Sequence, residues 1–166
     1  MHSDKLYIEI GKAVSLIQLS DRLFKFVLLW VFPGVDLNSI SLYQKNSERL
    51  NKATLGKLIS TLKERVTLDS KFENVLDSYL KDRNSLIHNW EEIDDWKNES
   101  AAIDFTVSVQ KNAAYLTYVF MAYINSWGEQ AGLETIKNVP SNLKPIMEAI
   151  ENQFEPDLAR YIKKIT

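Results

Sequence analysis

The segment "SKFENVLDSYLKDRNSLIHNW" (residues 70–90) carries the clearest helical pattern of the chain, and one of its positions contradicts that pattern. At 100° per residue, its apolar side chains form one broad stripe, as expected for the buried face of an amphipathic helix. Arg83 lies near the centre of this stripe, where leucine would be ordinary. The stripe consists of Phe72, Val75, Leu76, Tyr79, Leu80, Leu86, Ile87 and Trp90.

A buried Arg83 needs a compensating group, because an arginine side chain keeps its positive charge inside proteins. The charge can be matched by an ion pair with a buried acid, or the side chain can face a site that is open to an anionic ligand. Asp21 occupies a core position of the first predicted helix, between Ile17 and Phe24. The pairing of Asp21 with Arg83 is therefore our hypothesis for the ion pair.

The rest of the chain is also helical in pattern, with few Gly and Pro residues, and these fall where helices should end. Residues 37–48 read as a polar loop, and Ser70 with Glu73 reads as a capping box. The helix at about 100–128 is apolar on two sides, which predicts that it is sandwiched between others. Helices are predicted at about 4–31, 51–66, 70–90, 100–128 and 142 to the C-terminus, the last broken near Pro156.

These elements predict an all-α fold, an up-and-down bundle of four to five helices joined by short loops. We expect a helical bundle at residues 1–135. A C-terminal helical extension at residues 136–166 would pack on that bundle or on a partner.

Composition excludes several classes of protein. The 166 residues suit one domain, with 45% apolar and 25% charged residues. The absence of cysteine excludes disulfides and thiolate chemistry and favours a reducing compartment, with the cytoplasm as our expectation. The most apolar run, residues 23–35, contains Lys25 and is shorter than the roughly 20 residues of a membrane span, and no signal-peptide pattern precedes it. A net charge of -2 means that nucleic acid would have to be held by a local site.

His88 follows Arg83 by five residues, which is about 140° around an ideal helix and about 7.5 Å along it. Their side chains are therefore not expected to converge on one point within one helix; the long arginine side chain can cover part of the distance, and a second copy across a two-fold axis could supply the rest. Asn84 lies one turn before His88 on the same side and can orient the imidazole or hold a phosphate. The alternative is a surface histidine favoured by the dipole at a helix C-terminus.

The string "RNSLIH" (residues 83–88) resembles the signature of the HEPN superfamily (higher eukaryotes and prokaryotes nucleotide-binding domains), in which Arg, a polar residue and, after three more residues, His follow one another. An N-terminal helix with a buried acid and the segment "TLGKLI" (residues 54–59) add to the likeness. The resemblance covers about residues 4–127 and implies a HEPN-like bundle.

The resemblance implies a metal-independent endoribonuclease at a homodimer interface, with no cofactor. Arg83 would bind the scissile phosphate, Asn84 would position it or the imidazole, and His88 would transfer a proton. The RNA 2′-hydroxyl would attack and leave a 2′,3′-cyclic phosphate. Such a protein would be a toxin or antiphage effector restrained by an antitoxin or regulatory partner. The alternative is a non-catalytic HEPN-like dimerisation or regulatory module, in which Asp21 holds Arg83.

Two features depart from the family pattern. Trp90 stands where toxins silenced by a nucleotidyltransferase antitoxin commonly carry a tyrosine, which argues against that mode of control. The acidic segment 91–95 would repel an RNA backbone, and we interpret it as a solvated loop, with a carboxylate metal site as an unspecific alternative. The aromatic residues at 115–127 are interpreted as core or dimer packing and not as a base-stacking platform.

Overall fold

The computed structural model describes residues 3–34, 39–89, 98–130 and 162–164. Within these residues the chain is helical apart from two three-residue strands, so the predicted all-α class is confirmed for this part of the protein. The helices pack around one hydrophobic core. The elements are α1 (Asp4–Phe26), a π-helical turn (Val27–Val31), α2 (Ile40–Lys52), α3 (Leu55–Arg65), β1 (Val66–Leu68), α4 (Ser70–His88), α5 (Glu99–Gln130) and β2 (Ile162–Lys164).

The predicted first helix corresponds to α1 and the π-helical turn that continues it. Apolar residues spaced three or four apart, among them Ile17 and Phe24, are buried against the core. In the π turn the Phe32 N–H donates to the Val27 carbonyl at 2.8 Å, five residues back instead of four. The helix ends at Val31, just before Phe32 and Pro33, as the sequence predicts.

Helix α5 packs along α1 and also contacts α4 and the π turn. The Phe24 and Phe120 rings stack in the middle of this packing, with centroids 4.7 Å apart and planes 11° from parallel. Of the two apolar sides predicted for α5, one buries Val109, Leu116 and Phe120. The other buries only Ala114 of its four predicted residues, so the prediction of a sandwiched helix is confirmed in part.

The predicted loop at residues 37–48 is wrong, because residues 40–48 belong to α2. Helix α2 buries only Asn46 and Leu50, so it leaves almost no apolar periodicity in the sequence. The predicted helix at 51–66 is divided as a consequence. Helix α2 ends at Lys52, and α3 begins after Thr54, whose hydroxyl accepts a hydrogen bond from the Lys57 N–H at 3.4 Å.

Helix α4 buries much of the predicted stripe, including Phe72, Leu76, Tyr79 and Leu86. Its N-cap is Asp69, whose carboxylate accepts from the Lys71 N–H at 2.9 Å, so the prediction of Ser70 as the cap is wrong by one residue. The Asp69 carboxylate accepts a hydrogen bond from the first turn of backbone N–H groups, which is the role predicted for the Ser70 hydroxyl. The helix ends at His88; Trp90 lies outside the described residues.

The helix predicted to reach the C-terminus is wrong at residues 162–164, which form β2. Strand β2 pairs antiparallel with β1, and Val66 lies opposite Lys164. This pairing joins segments far apart in the sequence, which local periodicity does not reveal. Pro156 and the predicted boundary at 135–136 lie outside the described residues. None of the described helices combines the length and apolarity needed to cross a membrane.

Candidate functional site

An open cleft of about 670 Å³ lies between α1, the C-terminal half of α4 and the start of α3. Helix α4 contributes Arg83, Asn84 and His88, the three residues that the sequence predicted as a site. Helix α1 contributes Asp21 and Lys25 from one face, because the two are four residues apart. We call this space the Arg83 cleft. It brings the predicted site residues together within one chain.

The floor of the Arg83 cleft is an ion pair between two helices. Nη2 of Arg83 lies 3.3 Å from Oδ2 of Asp21, and the two side chains are 19% and 22% exposed, respectively. This contact confirms the pairing predicted from the two apolar stripes. The Tyr79 hydroxyl donates to the other carboxylate oxygen at 3.5 Å, the outer limit for such a bond. Arg83 is therefore held at one end of its guanidinium group.

The other terminal nitrogen of Arg83 faces the two remaining motif residues. Nη1 donates to Oδ1 of Asn84 at 3.0 Å and lies 3.3 Å from Nε2 of His88. The expectation that Arg83 and His88 do not converge within one helix is wrong. A helical wheel compares directions at the Cα atoms, whereas the long arginine side chain extends along the helix axis and covers the distance.

The contact with Arg83 defines one role for Nε2 of His88. A guanidinium group carries only donors, so Nε2 is the acceptor when it is hydrogen-bonded to Nη1. His88 is exposed at the edge of the Arg83 cleft, where a ligand can reach it. When Nε2 is released from that bond, the imidazole can accept a proton from a group that is bound on the guanidinium.

Burial dominates the electrostatics of the acid beneath the site. Desolvation raises the pKa of Asp21 above its usual value, although the charges of Arg83 and Lys25 act in the opposite direction. Burial and the neighbouring Asp21 carboxylate also raise the pKa of the Tyr79 hydroxyl. With Arg83 and Lys25 charged and one carboxylate beneath them, the Arg83 cleft favours anions at neutral pH.

Three contributions to the Arg83 cleft were missed in the sequence. Lys25 was noted only as a charge within an apolar run, although its spacing of one turn from Asp21 places it at the same site. The hydroxyl of Tyr79 was counted with the apolar stripe. The N-terminus of α3, at Leu55 and Gly56, also lines the cleft and presents the positive end of the helix dipole.

The other predicted features lie elsewhere. Trp90 and the acidic segment 91–95 are outside the described residues, so the predicted solvated loop stays a prediction. The described parts of the chain contain no group of three or more His, Cys, Asp or Glu side chains placed to hold a metal ion. Comparison with known proteins finds no matching family model, no matching curated sequence and no matching solved structure. A functional assignment therefore depends on the motif and on the geometry of the Arg83 cleft.

Proposed function

We propose that this protein is a metal-independent endoribonuclease of the HEPN type, built on a HEPN-like helical bundle. The observation that carries the proposal is the convergence of Arg83 and His88, whose Nη1 and Nε2 atoms lie 3.3 Å apart at an open cleft. A fixed guanidinium can stabilise the charge that grows on the phosphate oxygens, and an imidazole beside it can take the proton of the attacking 2′-hydroxyl.

The proposed reaction uses the groups in the positions described above. The scissile phosphate replaces Asn84 and His88 as the partner of Nη1, so that Arg83 binds its non-bridging oxygens and Nε2 of His88 becomes free, while Asp21 keeps its contact with Nη2. His88 takes the proton of the RNA 2′-hydroxyl, and the 2′-oxygen attacks phosphorus. The bond to the 5′-oxygen breaks, leaving a 2′,3′-cyclic phosphate and, after protonation of the leaving oxygen, a 5′-hydroxyl. Asn84 orients the phosphate or the imidazole.

We also propose that the active form is a homodimer. Arg83 and His88 meet within one chain, so a second copy is not needed to complete that contact. The reaction needs both a base and an acid, and in our proposal the second copy supplies the acid that protonates the leaving oxygen. A nuclease that cuts cellular RNA must be restrained, and we propose a toxin or antiphage effector controlled by an antitoxin or regulatory protein.

The test is cleavage of a single-stranded RNA in the presence of a chelator, with analysis of the product ends. We expect 2′,3′-cyclic phosphate ends, no cleavage where the scissile nucleotide is 2′-deoxy, and a loss of about 10²–10⁴-fold in rate for His88→Ala. Arg83→Lys keeps the charge but loses the two-pronged geometry, so it should also be impaired. Asn74→Ala, a change at an exposed position of α4 outside the cleft, is the control and should cleave normally.

A second candidate function is the non-catalytic HEPN-like dimerisation or regulatory module. The observation that favours it is the ion pair itself, because Asp21 already compensates the charge of Arg83 without any ligand. Expression of wild type, Arg83→Lys and His88→Ala in growing cells separates the two. Toxicity of the wild type alone supports the nuclease. Equal growth of all three, with RNA left uncut by the purified dimer, supports the regulatory module.

A further inference from the structure

We propose that a second, smaller cleft beside the Arg83 cleft binds the base of the nucleotide next to the scissile phosphate, and that Lys25 binds the other phosphate of that nucleotide. This inference rests on the proposed ribonuclease function and extends it with substrate-binding residues that the HEPN motif does not contain. The second cleft has a volume of about 210 Å³ and lies between α1 and α2. We call it the Trp30 cleft. Its proposed occupant is one nucleotide of single-stranded RNA.

Lys25 connects the two clefts. Its side chain lines both of them, and its ammonium group donates to the Asn51 carbonyl at 3.3 Å, which places it over the boundary between them. Lys25 stands one helical turn, about 6 Å, from Asp21, the residue that anchors Arg83. A phosphodiester chain lying across α1 would therefore meet Arg83 first and Lys25 next.

The wall of the Trp30 cleft is aromatic and held in place by its neighbours. Phe26 is 37% exposed, and its ring lies 6.3 Å from that of Trp30. The Trp30 ring in turn lies 5.0 Å from the Tyr43 ring and 6.3 Å from the Trp127 ring. Because these contacts restrict the ring of Trp30, a base would stack on a surface that is already ordered.

Size and charge identify the ligand. Sites for drug-sized molecules occupy about 300–1,000 Å³, so the Trp30 cleft suits a single ring system, whereas the Arg83 cleft suits a larger group. Arg22 and Lys25 both line the Trp30 cleft. The described residues place no carboxylate within ion-pair distance of either. Aromatic rings beside cations are the combination that binds single-stranded nucleic acid.

The experiment measures binding and cleavage with separate probes. Binding uses a fluorescent single-stranded oligonucleotide carrying 2′-O-methyl groups, which the proposed reaction does not cut, and cleavage uses the matching RNA. We expect Lys25→Met and Phe26→Ala each to raise Kd and KM about tenfold with little change in kcat. The reason is that the native Lys25 and Phe26 side chains would contact the RNA equally in the ground state and in the transition state. Lys25→Met should reduce the slope of log K against log salt by about 0.7, and Phe26→Ala should leave that slope unchanged.

The chain offers a matched control for each variant. Lys12→Met removes an exposed lysine, and Tyr7→Ala removes an aromatic side chain that is 59% exposed. Both residues lie on α1 outside the two clefts, and both variants should bind like the wild type. An RNA that lacks the single base next to the cleavage site should bind wild type and Phe26→Ala equally, which assigns the aromatic contact to that base.

The outcomes separate this inference from the proposed function. Normal cleavage by the wild type, together with unchanged KM and Kd in both cleft variants, overturns the inference and leaves the nuclease intact. Binding and cleavage that fail in the wild type overturn both. A change of the Phe26→Ala variant from dimer to monomer, with weaker activity only at low protein concentration, would identify the aromatic wall as a contact between copies and also overturn the inference.

Discussion

The ion pair of Asp21 and Arg83 gives the sharpest test of how the floor of the Arg83 cleft is built. Arg83→Met removes the charge and keeps a long unbranched side chain that can fill the same space. Asp21, only 22% exposed, then loses its cationic partner at 3.3 Å. The Tyr79 hydroxyl, at 3.5 Å, is a weak replacement because it is at the limit of hydrogen-bond length.

The burial of the pair sets the magnitude. Removing one partner of a fully buried pair costs about 3–5 kcal/mol, whereas exposed pairs contribute at most about 1 kcal/mol. With about a fifth of each side chain exposed, we expect Arg83→Met to lower the free energy of unfolding by about 2–3 kcal/mol. For a chain of this length the midpoint of thermal unfolding should fall by about 5–10 °C.

The assay is urea unfolding of four proteins at pH 7: wild type, Asp21→Asn, Arg83→Met and the double variant. Once Arg83 is gone, Asp21→Asn should restore stability because it removes the unpaired buried charge. We expect a coupling free energy of about 1–3 kcal/mol. If Arg83→Met is as stable as the wild type, or if the two changes simply add, then the carboxylate and the guanidinium do not depend on each other and our account of the cleft floor is refuted.

Three further predictions concern the pH dependence of stability, the core and one turn. The folded state raises the pKa of Asp21, so the folded protein holds this proton more tightly than the unfolded chain does. The free energy of unfolding of the wild type, relative to that of Asp21→Asn, should therefore fall as pH rises from about 3.8 through the folded pKa and then stay constant. Urea unfolding from acid to neutral pH measures this difference, and an increase across that pH range would show that attraction by Arg83 outweighs burial. Phe120→Ala, at a position that is 0% exposed, should cost about 3–5 kcal/mol in urea unfolding, and a loss below 1 kcal/mol would contradict the packing of α5. Gly34→Ala should lower the free energy of unfolding by at least about 1–2 kcal/mol, because φ is 64° at this position and the new Cβ would lie 2.6 Å from Nε of Arg65. The control Gly11→Ala, on α1 with open space around it, should raise the free energy of unfolding by up to about 1 kcal/mol. Equal effects of the two changes would refute the left-handed turn at Gly34.

The helices that bury a continuous stripe were predictable from the sequence. Helices α1, α4 and α5 each repeat apolar residues over several turns, and the signal accumulates with length. Helix α2 was missed because two buried residues give no stripe. Helix α2 is stabilised by contacts that apolar periodicity does not reveal. The Ser39 hydroxyl caps it by accepting a hydrogen bond from the Leu42 N–H at 3.1 Å, and the Tyr43 ring packs on the Trp30 ring. Strand β2 pairs with residues nearly a hundred positions away, which no local pattern encodes.

The candidate site was predictable in part, because a charge on an apolar stripe stands out. Asp21 and Arg83 each place a charge within the apolar stripe of a helix. Because the two charges have opposite signs, the sequence predicts that they form an ion pair. The approach of Arg83 to His88 was not predictable from a wheel, since it depends on the conformation of a flexible side chain. Lys25 and the aromatic wall were not recognised because lysines and aromatic residues on a helix are common, and only the packing of α2 beside α1 makes them line a common cleft.

The π-helical turn has a consequence for how related chains should be aligned. A turn closed by an i→i+5 bond holds one residue more than an α-helical turn, so Val27–Val31 accommodates what amounts to a one-residue insertion without breaking the helix. Residues on either side, Phe24 and Phe32, are both buried in this arrangement. Deleting one residue within this turn should convert it to an α-helical turn and leave the segment after it in the same orientation, whereas the same deletion within the regular part of α1 would rotate everything after it by about 100°. A homologue with a regular helix should therefore show a single alignment gap at this turn and keep its buried positions on both sides.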